Sequence, residues 1–160
     1  MIVGCVTEVK KHEYRVGMTP DQVRSYRSHR HKVLIQRGAG NGSGFVDGEY
    51  QAMGAELLDT AQEVWAGSDM IVKVKEPLES EYALMREGQI LYTYLHLAAN
   101  RPLTEVLLNN KVKAVAYETI RDAAGGLPLL RPMSEIAGRL SIQEGAKYLE
   151  GPMGGMGVLL

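Results

Sequence analysis

Hydrophobic positions along this chain follow two alternating spacings. Short apolar runs of strand length occupy residues 2–6, 33–35, 56–58, 70–74, 90–95 and 112–117. Between them lie segments whose apolar residues recur at helical intervals. Thr19, Pro20 and Gln22 supply an N-cap, a first-turn proline and a capping-box glutamine, so a helix is predicted to begin at Pro20. Asp47 is predicted to cap a short helix reaching about residue 53, and Asp59-Thr60 to cap one carrying Val64 and Trp65. A helix over 79–87 is stopped by Gly88, and one over 102–109 places Leu103, Val106 and Leu107 on one face. Ser134 is predicted to cap a long helix running to 149, with Ile136, Ala137, Leu140, Gly145 and Ala146 along it. The glycines and proline of 151–157 break that helix, and Val158-Leu159-Leu160 reads as the start of another strand.

Strands that alternate with helices predict an α/β fold, a mainly parallel sheet flanked by helices on both faces. Such sheets gather ligands at the carboxyl ends of their strands. Gly38, Gly40, Gly42 and Gly44 lie between a strand and a helix, as a dinucleotide fingerprint requires. The third glycine of G-x-G-x-x-G, however, falls on Ser43, Phe45 or Asp47 in the three possible frames. The segment reads as a flexible connection in which glycine lets the backbone turn sharply. The expected fold is therefore Rossmann-like without the dinucleotide fingerprint, and no P-loop motif occurs.

Composition narrows the partners. Among 160 residues, 18 Lys and Arg nearly balance 19 Asp and Glu, leaving a net charge of -1 and no electrostatic case for nucleic acid or an anionic membrane. Hydrophobic residues at 45% can build a real core. Cys5 is the one cysteine, which excludes an intrachain disulfide and a cysteine zinc site and points to a reducing, cytoplasmic setting. No run is long enough to cross a membrane. His12, His29 and His31 lack metal-ligand spacing, so no metal is expected, and Arg24, Arg27, Arg30 and Lys32 read as a solvated helix face.

Three residues invite chemistry. Lys75 closes an apolar strand just before Glu76-Pro77, and His96 ends the next one. Arg15 sits between the first strand and the first helix, on the same carboxyl-end rim. A strand-end lysine often only reaches water, and a surface arginine is commoner than a functional one. Together the three describe a pocket for a small carboxylate with a carbonyl or amine on its α-carbon. Two cations would hold it, and one imidazole would move a proton.

Several blocks carry a resemblance. They are Glu13-Tyr14-Arg15-Val16 with Thr19-Pro20, Gly38-Ala39-Gly40 to Gly44-Phe45, Asp69 to Pro77 with its Lys-Val-Lys-Glu-Pro, Tyr94-Leu95-His96-Leu97-Ala98, Ala116-Tyr117-Glu118-Thr119, and Leu127-Pro128 through Ser134-Glu135. The chain resembles bacterial alanine dehydrogenases from end to end. The related transhydrogenase subunit shares the layout but usually lacks the Lys-Val-Lys-Glu-Pro and Tyr-Leu-His-Leu-Ala blocks. The resemblance implies NAD-dependent, reversible oxidative deamination of L-alanine to pyruvate and ammonium. Arg15 and Lys75 would bind the substrate carboxylate and carbonyl oxygen, His96 would be the acid/base, and Met133 and Ser134 would lie beside the NAD cofactor.

It further implies a homo-oligomer, a hexamer in the family. Residues 1–133 would form the substrate-binding catalytic part and 134–150 an interdomain or interface helix. Residues 151–160 would be a hinge toward an NAD-binding domain absent from this chain, so catalysis is expected only when such a domain is supplied. The chain departs from the family at Cys5, where proline is usual, at Arg30, where a helix-ending glycine is usual, and at Met153 and Met156. A left-handed Arg30 would cost on the order of 1 kcal/mol. Two rival readings are the matching half of a transhydrogenase NAD(H)-binding subunit and a noncatalytic oligomerisation module built on the helix after Ser134.

Overall fold

In the computed structural model, residues 1–159 are described. The chain divides into two compact units, Met1–Tyr117 and the segment from Glu118 onward. In the first unit, six strands, β1 (Ile2–Cys5), β2 (Lys32–Gln36), β3 (Glu56–Leu58), β4 (Met70–Val72), β5 (Ile90–Thr93) and β6 (Lys113–Ala116), form one sheet in the order β3-β2-β1-β4-β5-β6. Every pairing is parallel. The helices of this unit are α1 (Pro20–Ser28), α2 (Asp47–Ala52), α3 (Ala61–Gly67), α4 (Glu79–Tyr82) and α5 (Arg101–Asn109). The α/β architecture expected from the alternation is the one observed.

The period of two along each strand sorts side chains onto two faces. Val3 and Cys5 of β1, Val33 and Ile35 of β2, and Val72 of β4 form one buried cluster with Val23 of α1 and Tyr50 of α2. Their neighbours Leu34, Ile71 and Leu91 form the other, with Val64 and Trp65 of α3 and Leu103 and Leu107 of α5. Both faces are thus covered, and a buried aliphatic side chain contributes about 1.5–3 kcal/mol. That burial, rather than helix propensity, holds α2 and α4, since isolated helices shorter than about 12 residues are marginal in water.

Helix starts follow the capping chemistry in part. The Gln22 side chain accepts the Thr19 N–H at 2.8 Å, and at α3 Thr60 Oγ1 accepts the Glu63 N–H at 3.2 Å. Asp47 does not cap α2. It is the first helical residue, its carboxylate accepts the Gly38 N–H at 2.7 Å, and Glu49 accepts the Val46 N–H instead. Asp47 therefore ties down the glycine-rich connection, where Asn41–Ser43 form a 3-10 turn.

Three strand and helix limits differ from expectation. β4 ends at Val72 rather than 74: the Lys73 N–H still reaches Tyr92 O at 3.1 Å, but the Val74 N–H turns to the Glu8 carboxylate at 2.6 Å. β5 ends at Thr93, so His96 lies three residues beyond it. The predicted helix over 79–87 is a single turn. After it, Leu84 and Met85 donate three residues back, to Glu81 and Tyr82, and Met85 turns into the core.

The second unit opens with a turn around Asp122, whose carboxylate accepts the N–H groups of Ala124 and Gly126 at 3.0 and 2.7 Å. Helix α6 (Arg131–Leu149) follows. It begins before Ser134, because Pro132 fits the first turn, where a missing N–H breaks no helical bond. Ser134 is inside the helix and its hydroxyl donates to Leu130 O at 3.3 Å. Ile136, Leu140 and Ile142 of α6 are exposed. Val158 and Leu159 adopt no strand, and Leu160 lies outside the described residues.

Arg30 follows α1 at φ 62°, the left-handed backbone expected there. Because a Cβ is penalised in this region, Arg30→Gly is expected to raise the stability of the chain by about 1 kcal/mol, read as a higher urea midpoint at unchanged slope. An unchanged midpoint would show that no strain is held at this residue. Cys5 is fully buried, and burial, reinforced by the Glu8 charge, pushes its thiol up to about 12. The native chain is therefore expected to resist DTNB at pH 8 and to yield one thiol per chain only on denaturation.

Candidate active site

The strand order reverses between β1 and β4, and in open parallel sheets the crevice outside the carboxyl ends at such a point receives ligands. Arg15 lies on the connection after β1, Lys75 on the one after β4, and His96 on the one after β5. Register keeps those ends level, because Cys5 pairs with Val72 and Val72 with Tyr92.

Two close backbone approaches fix the connection that bears Arg15. A Cβ on Gly17 would stand 2.7 Å from Val72 O and 2.9 Å from Lys73 Cα, so this connection lies directly on the end of β4. A Cβ on Gly42 would meet Tyr14 O at 2.6 Å, and Ser43 Oγ donates to the same carbonyl at 3.1 Å. The glycine-rich loop therefore serves as the wall against which Tyr14 and Arg15 rest. Between them is a cavity of about 380 Å3, lined by Glu8, Glu13, Tyr14, Arg15, Gly38 and Asn41 among others. Lys75 and His96 are not in its lining.

Arg15 is gripped by a neighbour. Its Nε and Nη2 donate to the two oxygens of Glu13 at 2.8 and 2.7 Å, and its backbone N–H donates to Glu13 at 3.0 Å. The hydrogen bonds from Arg15 bring the Glu13 carboxyl down to about 2, and the charges of Arg15 and Lys75 act in the same direction. Arg15 is pushed up in turn, first by the Glu13 hydrogen bond and further by the neighbouring charges, Tyr94 among them. One carboxylate thus feels both cations that the sequence singles out.

His96 is held in a left-handed conformation at φ 50°, uncommon for a residue with a Cβ. It heads the 3-10 turn Leu97–Ala99. Its ring stacks near that of Tyr94, with centroids 6.2 Å apart and planes 14° apart. Tyr94 packs edge-on to Tyr117 at 4.9 Å, and Tyr117 to Tyr92 at 4.3 Å. Burial, the largest single influence, raises the Glu76 carboxyl, but the Lys10 hydrogen bond, its own backbone N–H and the charges of Lys10 and His96 together leave it below the ordinary value. Arg15, Lys75, Tyr94 and His96 thus belong to one linked set on this rim.

Beneath it the sequence hides a charged group. Lys73, which reads as one more residue of an apolar strand, has no exposed side-chain surface; its Nζ lies 3.3 Å from Glu8 and 2.9 Å from Glu81, themselves 2% and 4% exposed. These are ion pairs by distance, without hydrogen-bond alignment at Lys73. Glu8 and Glu13 are the residues that reading by strand ends overlooks, because both sit in an irregular connection. The signals for them are the density of charge over residues 8–15 and, for Glu13, its place in the Glu13-Tyr14-Arg15-Val16 block. Met133 and Ser134 lie in the first turns of α6 in the second unit, where both backbone N–H groups donate to Leu130 O at 3.0 Å.

Comparisons with known proteins agree with this architecture. Residues 4–137 match the family described as alanine dehydrogenase/PNT, N-terminal domain. The alanine dehydrogenase of Methanococcus maripaludis is 56% identical and that of Mycolicibacterium smegmatis 52% identical over all 160 residues, and the chain spans 43% of the length of each. A solved L-alanine dehydrogenase superposes with a TM-score of 0.88 at 50% identity, covering 100% of this chain and 44% of that one. The transhydrogenase of Sinorhizobium meliloti superposes with a TM-score of 0.72 at 24% identity over 78% of this chain and 35% of its own, a likeness of fold. Among the described residues no helix is long and apolar enough to cross a membrane. The chain belongs to the family of alanine dehydrogenase/PNT N-terminal domains.

Proposed function

We propose that this chain is the substrate-binding part of a cytoplasmic, NAD-dependent alanine dehydrogenase, which converts L-alanine and water reversibly to pyruvate and ammonium. The observation that carries the reading is Glu13, a carboxylate bound bidentately by Arg15 and depressed also by the charge of Lys75. The same pair of cations suits the carboxylate and carbonyl oxygen of a 2-oxo acid. Arg15 orients the substrate carboxylate through its planar fork. The Lys75 ammonium faces the carbonyl oxygen and stabilises charge that develops there. His96 takes the proton from the attacking water, or returns it to the carbinolamine oxygen, with an imidazole suited to transfer near neutral pH.

NAD, when bound, supplies the acceptor for the hydride of the alanine Cα. The first unit does not fit its pyrophosphate. The head of α1 is occupied by its own Gln22 side chain, and the connection after β1, which would cradle the phosphates, carries the carboxylates of Glu8 and Glu13. On this reading the dinucleotide is held outside residues 1–117, with Met133 and Ser134 beside it.

Two measurements test the reading. Pyruvate titrated into the isotope-labelled chain is expected to shift amide resonances around Arg15 and Lys75. Arg15→Ala and Lys75→Ala should each weaken that binding roughly tenfold or more, the worth of one lost charge-assisted contact. A folded chain showing no pyruvate-dependent change at tens of millimolar would overturn it. The second test concerns acid. The folded Glu13 carboxyl is lowered from 4.5 to about 2, so its ion pair with Arg15 contributes stability that is complete above 4.5 and is lost as pH falls toward 2. Acid unfolding of Glu13→Gln followed by circular dichroism should therefore show a shallower loss of stability across that window than the parent chain.

A further inference from the structure

Buried charge in a sheet is costly, so Glu8, Lys73 and Glu81 require an explanation that a solvated ion pair would not. All three side chains are at least 96% withdrawn from solvent. They come from three elements: the connection after β1, the end of β4, and the single-turn helix α4. Glu81 spends its second oxygen on α4 itself, accepting the Leu78 N–H at 3.1 Å. Glu8 spends its oxygens differently. Oε1 accepts the Val74 N–H at 2.6 Å and Oε2 lies 3.4 Å from the Lys75 N, which donates to it, so one carboxylate spans two successive amides leading into Lys75.

The Lys75 segment is fastened on its other side too. Thr93 Oγ1 donates to Lys75 O at 3.0 Å, the Tyr94 N–H reaches Val74 O at 3.2 Å, and Lys10 pairs with Glu76. Lys10 and Glu8 lie on the same connection as Arg15. Where the ladder of β4 stops, a side chain from the neighbouring connection takes its place. Charge-assisted hydrogen bonds from backbone amides to a carboxylate are about twice as strong as neutral ones, so the clasp is stiff.

We infer that Glu8 is a positioning residue: through the Val74 and Lys75 amides it fixes the backbone of Lys75 relative to the connection that carries Arg15, with buried Lys73 holding its carboxylate in place. The inference rests on the reading of Arg15 and Lys75 as substrate ligands. It assigns Glu8 no contact with substrate, and its effect on binding passes through Lys75. Glu81 is the internal control. It shares Lys73 and the same burial but touches neither amide, so a loss that comes only from the charged core would be common to both glutamates.

The test compares Glu8→Gln, Glu8→Asp, Glu81→Gln and Lys75→Ala in the 160-residue chain. The readouts are thermal stability, amide hydrogen exchange and pyruvate affinity by NMR. Glu8→Gln and Glu81→Gln are both expected to lower the melting temperature. Of these two, Glu8→Gln alone should speed exchange at Val74 and Lys75, roughly tenfold or more, and weaken pyruvate to a similar degree. Glu8→Asp keeps the charge facing Lys73 but is one methylene shorter, so it should retain more stability while still loosening the two amides. That keeps the inference open to refutation if the glutamine variant fails to fold. Unchanged exchange at Val74 and Lys75 in the Glu8 variants, or equal loss of pyruvate affinity in Glu81→Gln, would overturn it. If Lys75→Ala binds pyruvate like the parent, the functional reading fails, and the exchange rates still decide whether Glu8 holds the segment.

Discussion

The ammonium of Lys73, with no exposed surface and two carboxylates around it, is the constraint on which the rim of this sheet depends. A lone buried ammonium could not persist, and removing one partner of a buried ion pair costs on the order of 3–5 kcal/mol. Because its partners come from the connection after β1 and from α4, three chain segments must be in place together. The pairing also explains why β4 is so short. Its last amides find a carboxylate before they find another strand. Burial raises the Glu8 carboxyl, while Lys73 and the two amides pull it back toward the ionised form.

Short strands have a functional consequence. β4 and β5 release the chain at Val72 and Thr93, so Lys75 and His96 stand on irregular backbone instead of in the ladder. Irregular backbone can aim a side chain in ways that a pleated strand cannot, and it pays in conformational strain, as at His96. Fastenings on several sides offset that freedom. Gly17 lets one connection lie against the end of β4, Thr93 ties the Lys75 carbonyl, and the Tyr94 ring stacks near His96 with Tyr117 packed edge-on behind it. In sheets of this kind, covered on both faces by helices, ligands gather at the carboxyl ends of the strands.

Glu13 shows how a carboxylate organises a neighbouring guanidinium. Its carboxylate holds the Nε and Nη2 edge of Arg15, so the guanidinium is already oriented in the resting protein. Orientation achieved in the resting protein lowers what binding must later spend on ordering the side chain. Several of the charges over residues 8–15 are paired: Glu13 with Arg15, Lys10 with Glu76, and Glu8 with Lys73.

The sequence by itself determined the local chemistry: the alternation of strand and helix, the start of α1 at Pro20, the Thr60 cap and the missing third glycine. These are legible because each depends on residues within a few positions of one another. It also placed Arg15, Lys75 and His96 on the rim, since strand ends are marked by where apolar runs stop. Tertiary structure alone decided the rest. Lys73 looks like a strand residue and is a buried cation only because Glu8, 65 positions earlier in numbering, and Glu81 fold over it. Asp47 looks like a cap, and its carboxylate instead takes the Gly38 N–H in the glycine-rich connection; Ser134 also looks like a cap, but α6 starts before it and its hydroxyl donates four residues back to Leu130 O. Glu8 and Glu13 acquire meaning only when parallel strands bring three connections to one edge. Burial and charge pairing at that edge are properties of distance in space, which spacing along the chain does not encode.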